Sequence, residues 1–331
     1  MAVGLRTHIW NNNLKSLVLL AGFPILLIAL AYAGAVIFIA YGGGAGYVDE
    51  ALVEAAWLMP SVAPIAFVGA LIWFVIAWFS HQAIIDASTG ARSVSRTDEP
   101  ELYNLLENLS ISRGMTMPKL KIIETGALNA YASGLTEKQY TVTVTRGLMQ
   151  RLDRAELEAV LAHELTHIVN RDVRLLVISV IFVGIISLVI EIMFRGMFYS
   201  SLSRSGGSRR GSGGNAGVLI LIAFAVMALA WFLAIAIRFA ISRKREYMAD
   251  AGAVELTKDP DAMISALEKI SGNHEIEKAP PEVRQMFVYD RQAGFQSLFA
   301  THPPIEKRIE ALEQFAGGRR RPPGGTSIPA V

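Results

Sequence analysis

Residues 153–172 read DRAELEAVLAHELTHIVNRD. Asp153 stands three positions before Glu156, and this spacing is typical of a helix start, where acidic side chains accept hydrogen bonds from free backbone N–H groups. Apolar residues then recur at helical spacing, at Leu157, Val160, Leu161 and Ile168. The stretch is therefore predicted to form a helix with one buried face.

Two histidines lie four residues apart on this predicted helix, so their imidazoles point to the same side. His163 and His167 form a pair suited to a small divalent cation that prefers nitrogen ligands, and Zn²⁺ is the leading candidate. Glu164 lies between them and can reach a metal-bound water without itself binding the metal. The alternative is a chance pair of histidines on a surface helix. The apolar neighbours and the intervening glutamate favour the metal site.

A candidate third ligand lies further along the chain. A catalytic zinc ion usually has three protein ligands and one open position. In the segment 242–250 (SRKREYMAD), Glu246 would complete a His₂Glu set, and Asp250 could accept the N–H of a ligating histidine. The alternative is a solvated charged turn below a transmembrane helix, with the basic run 243–245 at the lipid headgroups. Spacing alone favours neither interpretation of Glu246. The expected cofactor is one Zn²⁺ per chain.

Composition excludes several classes of protein. Hydrophobic residues make up 52% of the 331 residues and charged residues only 18%, compared with about 25% charged in soluble domains. Cysteine is absent, which excludes disulfides and thiolate metal sites, so a metal site has to use the six histidines and the acidic residues. The net charge is +2, and no lysine-rich block with interleaved aromatic residues occurs. We therefore expect no nucleic-acid partner.

Long apolar runs predict about four transmembrane segments, since roughly 20 apolar residues cross a bilayer as a helix. The runs lie at about 16–41, 62–79, 175–194 and 218–241. The first run is longer than the roughly 7–15 apolar residues of a signal peptide, so we interpret it as an uncleaved span. The lipid bilayer is therefore an expected partner.

The predicted organisation alternates membrane and soluble segments. A membrane hairpin in 1–80 precedes the first part of a soluble domain, 81–174, which contains the histidine helix and short strands at 120–123 and 140–145. A second hairpin in 175–241 precedes the second part, 242–316, with the candidate third ligand. The tail 317–331 is rich in Gly, Pro and Arg and is predicted to be disordered.

Positive charges predict the orientation in the membrane. Arg6 and Lys15 precede the first span, the first loop has no Lys or Arg, and the segment after the second span is rich in both. This places the N-terminus and the soluble domain in the cytoplasm. The loop between the third and fourth spans does not fit this orientation, because it is rich in Arg and yet would lie outside. Either this loop is translocated despite its charge, or the last hairpin does not fully cross the membrane. His163, His167 and Glu246 can meet only if the third and fourth spans form a hairpin.

The motifs of the chain resemble a known family. The four apolar segments, the HELTH helix, Arg245–Asp250 (REYMAD) and Thr301–Pro303 (THP) are similar, in this order, to HtpX-type membrane metalloproteases. This family is related to the CAAX prenyl endoproteases. The resemblance extends to about Phe315 and implies an α-helical membrane protein with an α+β, zincin-like (gluzincin) metalloprotease domain.

The resemblance also implies roles for particular residues and for the protein. Glu246 is expected to be the third zinc ligand, and His302 to lie near the active site with a role in the transition state. Residues 129–134 are expected beside the substrate groove, with Asn129, Ala130, Tyr131 and Ala132 as candidate groove residues. The implied task is quality control in the bacterial inner membrane, where damaged or misassembled membrane proteins are cut. Processing of prenylated peptides, the task of the relatives, is the alternative.

The mechanism expected from these residues is metal-assisted peptide hydrolysis. Zinc lowers the pKa of a bound water from 15.7 towards about 7, and Glu164 acts as the general base. Two other classes of protein are the alternatives. A metal-stabilised scaffold without activity would need a fourth protein ligand, and a transporter would need ionisable residues within the spans, where only Glu191 and Arg238 occur. Nothing in the sequence indicates an oligomeric state.

Overall fold

The structure is a computed structural model that describes residues 5–42, 47–203, 215–239, 244–271 and 303–320. The helices are α1 (Leu5–Gly42), α2 (Val48–Thr89), α3 (Pro100–Ser112), α4 (Arg146–Arg151), α5 (Arg154–Val169), α6 (Asp172–Ser203), α7 (Asn215–Phe239), α8 (Lys244–Thr257), α9 (Pro260–Ile270) and α10 (Ile305–Ala316). The strands are β1 (Arg92–Ser93), β2 (Lys119–Ile123), β3 (Ala130–Ser133) and β4 (Thr141–Thr145).

The chain divides into two units. We call the first the helical unit, which contains residues 14–79 and 178–240, and the second the sheet unit, which contains residues 1–13, 80–177 and 241–331. Sequence boundaries between the units fall within α1, α2 and α6. Each unit is therefore built from segments that lie far apart in the sequence.

The helical unit consists of long apolar helices. Three helical stretches in the described part of the chain are long and apolar enough to cross a membrane, and a shorter apolar helix covers Gly217–Phe232; the three are Gly22–Ala40, Val48–Thr89 and Asp172–Gly196. Inside the unit, Phe23 stacks on Phe182 with ring centroids 4.3 Å apart. Large apolar side chains on α2 are exposed, with Trp57 78% and Phe79 75% exposed. Such a surface suits lipid and would be costly in water.

The second apolar helix is longer than its predicted span of 62–79. It begins at Val48, with Asp49 and Glu50 in its first turn, where negative side chains interact favourably with the helix dipole. It ends only at Thr89, ten residues after the apolar run. Hydropathy identified the part that suits lipid, but the helix itself continues at both ends.

The sheet unit contains a four-stranded sheet in the order β1-β2-β4-β3. Strands β2 and β4 are parallel, whereas β1 pairs antiparallel with β2, and β3 pairs antiparallel with β4. The central strand β4 is buried along its entire length. The predicted strands at 120–123 and 140–145 are β2 and β4, and β3 forms an edge of the sheet.

The last turns of α2 attach to this sheet. Ser133 Oγ donates a hydrogen bond of 2.8 Å to Gln82 Oε1, and Lys121 forms an ion pair with Asp86. Both partners on α2 belong to residues 80–89, which are part of the sheet unit. These contacts explain why the helix remains ordered beyond its apolar segment.

Helix α5 is the buried centre of the sheet unit. Its start is the predicted capping box: Asp153 Oδ1 accepts from the N–H of Glu156, and Glu156 Oε2 accepts from the N–H of Asp153. Glu156 also accepts hydrogen bonds from Ser265 and Lys269 of α9, so the cap ties the two helices together. The predicted apolar positions are buried, and α5 packs against β3, α3, α8 and α9.

Candidate metal centre

Three side chains from two helices meet at one buried point. His163 and His167 lie on α5 and Glu246 lies in the first turn of α8, and one possible ligand atom from each lies within 4.8 Å of the other two. The two histidine Nε2 atoms are 3.1 Å apart, and they lie 3.7 and 3.6 Å from the carboxylate oxygens of Glu246. These are the three residues expected as ligands, of which Glu246 was expected because of the family resemblance.

The far nitrogen of each imidazole contacts a carboxylate. His163 Nδ1 lies 2.9 Å from Asp250 Oδ1, and His167 Nδ1 lies 2.9 Å from Asp172 Oδ2. An ionised carboxylate can only accept a hydrogen bond. With this pairing, each Nδ1 carries the hydrogen and each Nε2 carries a lone pair. Two lone pairs then face one another at 3.1 Å, an arrangement that a cation bound between them would stabilise.

The donor set fits a zinc ion. Two nitrogens at about 2.0–2.1 Å from a tetrahedral zinc ion are about 3.3 Å apart, close to the observed separation. Burial lowers the pKa of His163 to about 4, so this imidazole is neutral at neutral pH and can bind a metal. Burial also acts to lower the pKa of His167, but the charges of Glu246 and Asp172 outweigh it and raise the pKa. The site therefore favours a cation at these nitrogens.

The formal charges around the site support a divalent cation. Buried groups that contact the three ligands or lie next to them include four carboxylates and two guanidinium groups, namely Glu164, Asp172, Glu246, Asp250, Arg245 and Arg308. With every carboxylate ionised, their sum is two negative charges. Because an unbalanced buried charge is costly, one divalent ion restores neutrality.

Glu164 occupies the position expected for a base. Its side chain is buried next to the ligands and accepts a hydrogen bond from the backbone N–H of Ala132. Burial raises the pKa of Glu164 to about 7 and the charge of Glu246 acts in the same direction, whereas His167 and the Ala132 amide act against it. A carboxylate with this pKa can both take up and release a proton near neutral pH.

Asp250 is held by a residue that the sequence did not indicate. Arg308 on α10 donates two hydrogen bonds to it, from Nε to Oδ2 at 2.9 Å and from Nη2 to Oδ1 at 2.6 Å. Burial acts to raise the pKa of Asp250, but the guanidinium of Arg308 outweighs burial and lowers it. Asp250 therefore contacts a histidine on one side and an arginine on the other.

Asp172 was also not predicted as part of the site, although it is the last residue of the stretch 153–172 that contains the two histidines. The chain turns sharply at Arg171, which has a φ of 60°, and α6 starts at Asp172. This turn points the Asp172 carboxylate back to His167 five residues earlier. The detectable signal was an acidic residue just after the helix end, but the turn that redirects it was not predictable.

The predicted groove residues form the edge strand and the residue before it. Asn129 is fully buried, and its Oδ1 accepts from the N–H of Ala130 at 3.0 Å. The Tyr131 hydroxyl lies 3.2 Å from Thr89 Oγ1, so this side chain faces the end of α2. Ala132 contacts Glu164 through its amide. His302, the other predicted residue, lies outside the described residues.

The comparisons with known proteins agree on one family. Residues 96–316 match the model of Peptidase family M48. A "Protease HtpX homolog" of Bacteroides fragilis is 48% identical over 323 residues, which cover 95% of this chain and 99% of the relative. A protein of the same name from Listeria monocytogenes is 36% identical over 259 residues, which cover 76% of this chain and 85% of the relative.

A solved structure gives a more distant match. The crystal structure of S. mikatae Ste24p is 20% identical, with a TM-score of 0.42, and the match covers 92% of this chain and 66% of that one. The family assignment rests on the sequence matches instead. Because the family model covers more than half of the chain and a 48% identical relative aligns with nearly all of it, this chain belongs to peptidase family M48 and is a membrane metalloprotease.

Proposed function

We propose that this metalloprotease holds one zinc ion per chain with His163, His167 and Glu246, and that Glu164 is its catalytic base. One observation carries the proposal: two imidazole Nε2 atoms and a carboxylate converge on one buried point, while both Nδ1 atoms are held by carboxylates. Neutral imidazoles and a carboxylate form the donor set of many catalytic zinc sites.

The chemistry is peptide-bond hydrolysis. Zinc in this site supplies Lewis acidity, which makes water available as a nucleophile near neutral pH. Glu164 takes the proton from the attacking water and delivers it to the leaving amine. Burial raises the pKa of Glu164, which favours its uptake of the proton from water.

The edge strand β3 is proposed to bind the substrate backbone. It pairs with β4 along one edge, and in the described part of the chain no strand pairs with its other edge. An extended peptide can add to such an edge by main-chain hydrogen bonds. The contact between Ala132 and Glu164 supports this proposal, because a peptide bound along β3 would lie beside the base.

Asn129, Ala130, Tyr131 and Ala132 are buried as whole residues. Pairing through the main chain of such a strand would select for an extended conformation more than for particular side chains. This suits a protease that cuts many different proteins.

A purely structural zinc site is less well supported. It would be closed by a fourth protein ligand, whereas the described residues offer a group of three. A buried base next to the ligands has no purpose in a closed site. The proposed role of His302 in stabilising the oxyanion rests on the family resemblance.

The proposed substrates are damaged or misassembled membrane proteins, cut in the bacterial inner membrane from the cytoplasmic side. The support is the apolar helices, the bacterial relatives and the distribution of Lys and Arg, which favours a cytoplasmic sheet unit. Prenylated peptides are the alternative substrate class, and a substrate panel distinguishes the two.

The test of the base is Glu164→Gln in the purified full-length protein. The variant is expected to bind one zinc ion per chain and to lose about 10²–10⁴-fold in cleavage rate, because only the proton transfer is removed. Glu158→Gln is the matched control, since Glu158 lies on the same helix away from the ligands and should cleave like the wild type. Cleavage of a panel of membrane proteins and prenylated peptides is measured for all three proteins. Undiminished cleavage by Glu164→Gln would show that another group is the base.

A further inference from the structure

Among the described residues, the largest of the fully buried side chains belongs to a charged residue. Arg308 on α10 has no exposed surface. Arginine is rarely buried in this way unless its donors are used, because removing a guanidinium from water is costly. The partner of Arg308 is Asp250, which it contacts through two parallel hydrogen bonds of 2.6 and 2.9 Å.

The same carboxylate contacts a proposed metal ligand. Asp250 Oδ1 lies 2.6 Å from Arg308 Nη2 and 2.9 Å from His163 Nδ1. A continuous chain of contacts therefore runs from α10, through Asp250 on α8, to His163 on α5. The guanidinium also lies near the third ligand, with Nη1 3.8 Å from Glu246 Oε2.

This geometry limits the positions that Asp250 can take. The guanidinium is a planar fork that fixes both oxygens of a carboxylate in one orientation. With the carboxylate fixed, Oδ1 is presented to His163 Nδ1, so the ring keeps its hydrogen on Nδ1 and its lone pair on Nε2. Without the fork, Asp250 can rotate about its side-chain bonds, and the ring of His163 loses its fixed acceptor.

We propose that Arg308 is a positioning residue of the metal site, which fixes Asp250 so that His163 presents Nε2 to the metal ion. The inference rests on the proposed function, since it assumes that His163 is a ligand. The competing explanation is that Arg308 only joins α10 to α8. In that case its replacement would lower stability and leave the affinity for metal unchanged.

The first experiment measures zinc affinity and thermal stability of the full chain in detergent. Arg308→Lys keeps the charge but loses the fork, and the expected result is about a 10–100-fold weaker affinity for zinc, measured by competition with a chromophoric chelator. Lys307→Gln is the matched control on the neighbouring, exposed position, and should bind zinc like the wild type. A folded Arg308→Lys protein with wild-type affinity would overturn the proposal.

The second experiment tests whether Arg308 acts through Asp250. Asp250→Asn removes the charged acceptor, so adding Arg308→Lys to it should weaken zinc binding no further. Additive losses in the double variant would mean that Arg308 acts by another route and would overturn the proposal. If the wild type itself bound no zinc, the proposed function would fail. Zinc binding by the wild type with no effect of Arg308→Lys would overturn this inference alone.

Discussion

Gly252 on α8 determines how closely that helix approaches α5. A Cβ atom at this position would lie 2.5 Å from Thr166 Cγ2 and 2.9 Å from Thr166 Oγ1. The threonine cannot turn away freely, because its hydroxyl donates a 2.8 Å hydrogen bond to the carbonyl of Ala162. Thr166 lies directly before His167, and α8 carries Glu246 and Asp250.

Gly252→Ala is therefore expected to move the two helices apart. Carbon atoms in contact lie about 3.5 Å apart, so the helices have to separate by roughly 1 Å, or Thr166 has to give up its hydrogen bond. Overpacking of this kind costs about 1–3 kcal/mol, and the better helix propensity of alanine offsets about 1 kcal/mol. The net loss of stability is about 0–2 kcal/mol, a decrease in Tm of at most about 8 °C.

Activity should decrease much more than stability. A displacement of about 1 Å at catalytic groups can cost about 100-fold in rate. We expect Gly252→Ala to fold and to lose about 10–100-fold in kcat/KM, measured with a quenched peptide substrate at saturating zinc. Differential scanning fluorimetry on the same samples gives the change in Tm.

A compensating variant makes the prediction specific. Thr166→Ala removes the two nearest atoms, leaving only Cβ, which lies 3.2 Å from the added methyl group. The double variant Thr166→Ala/Gly252→Ala should recover most of the activity, with Thr166→Ala alone as its reference. Wild-type kcat/KM in Gly252→Ala, or a double variant as impaired as Gly252→Ala, would refute the account of the helix contact.

Two further predictions concern stability. Asp153→Ala removes the N-cap of α5 and should cost about 1 kcal/mol, seen as a decrease in Tm of about 2–4 °C; an unchanged Tm would contradict the role of the cap. Hydrogen bonds from Arg146 and Arg92 lower the pKa of Glu124 to about 2. The contribution of the ionised Glu124 side chain to the free energy of unfolding should be complete above pH 4.5 and lost as the pH decreases to 2. It should amount to less than about 1 kcal/mol, because Glu124 is half exposed. Tm measured against pH should show this loss in the wild type and not in Glu124→Gln, and parallel curves would contradict it.

Local signals predicted α5 well. Asp153 and Glu156 bond to backbone groups within one turn, so a short stretch of sequence contains all the information about this helix start. The spacing of His163 and His167 likewise depends only on the geometry of one helix. Such features do not require knowledge of the rest of the fold.

The remainder of the site depends on tertiary packing. Spacing alone left Glu246 undecided between a metal ligand and part of a solvated charged turn, and only the packing of α8 on α5 brings it to the histidines. Arg308 lies on a helix in which charged and apolar residues alternate, so the sequence resembles an ordinary surface helix there. Its burial results from Asp250 on a different helix, 58 positions earlier.

The order of the site residues along the chain has a consequence for biosynthesis. The histidines of α5 leave the ribosome first, Glu246 follows only after α6 and α7, and Arg308 on α10 comes later still. A growing chain can insert its apolar helices before the last contact of the site exists. On the proposed arrangement, the nascent protein lacks its third metal ligand, and so cannot cut neighbouring membrane proteins or itself, until α6, α7 and the start of α8 have been made.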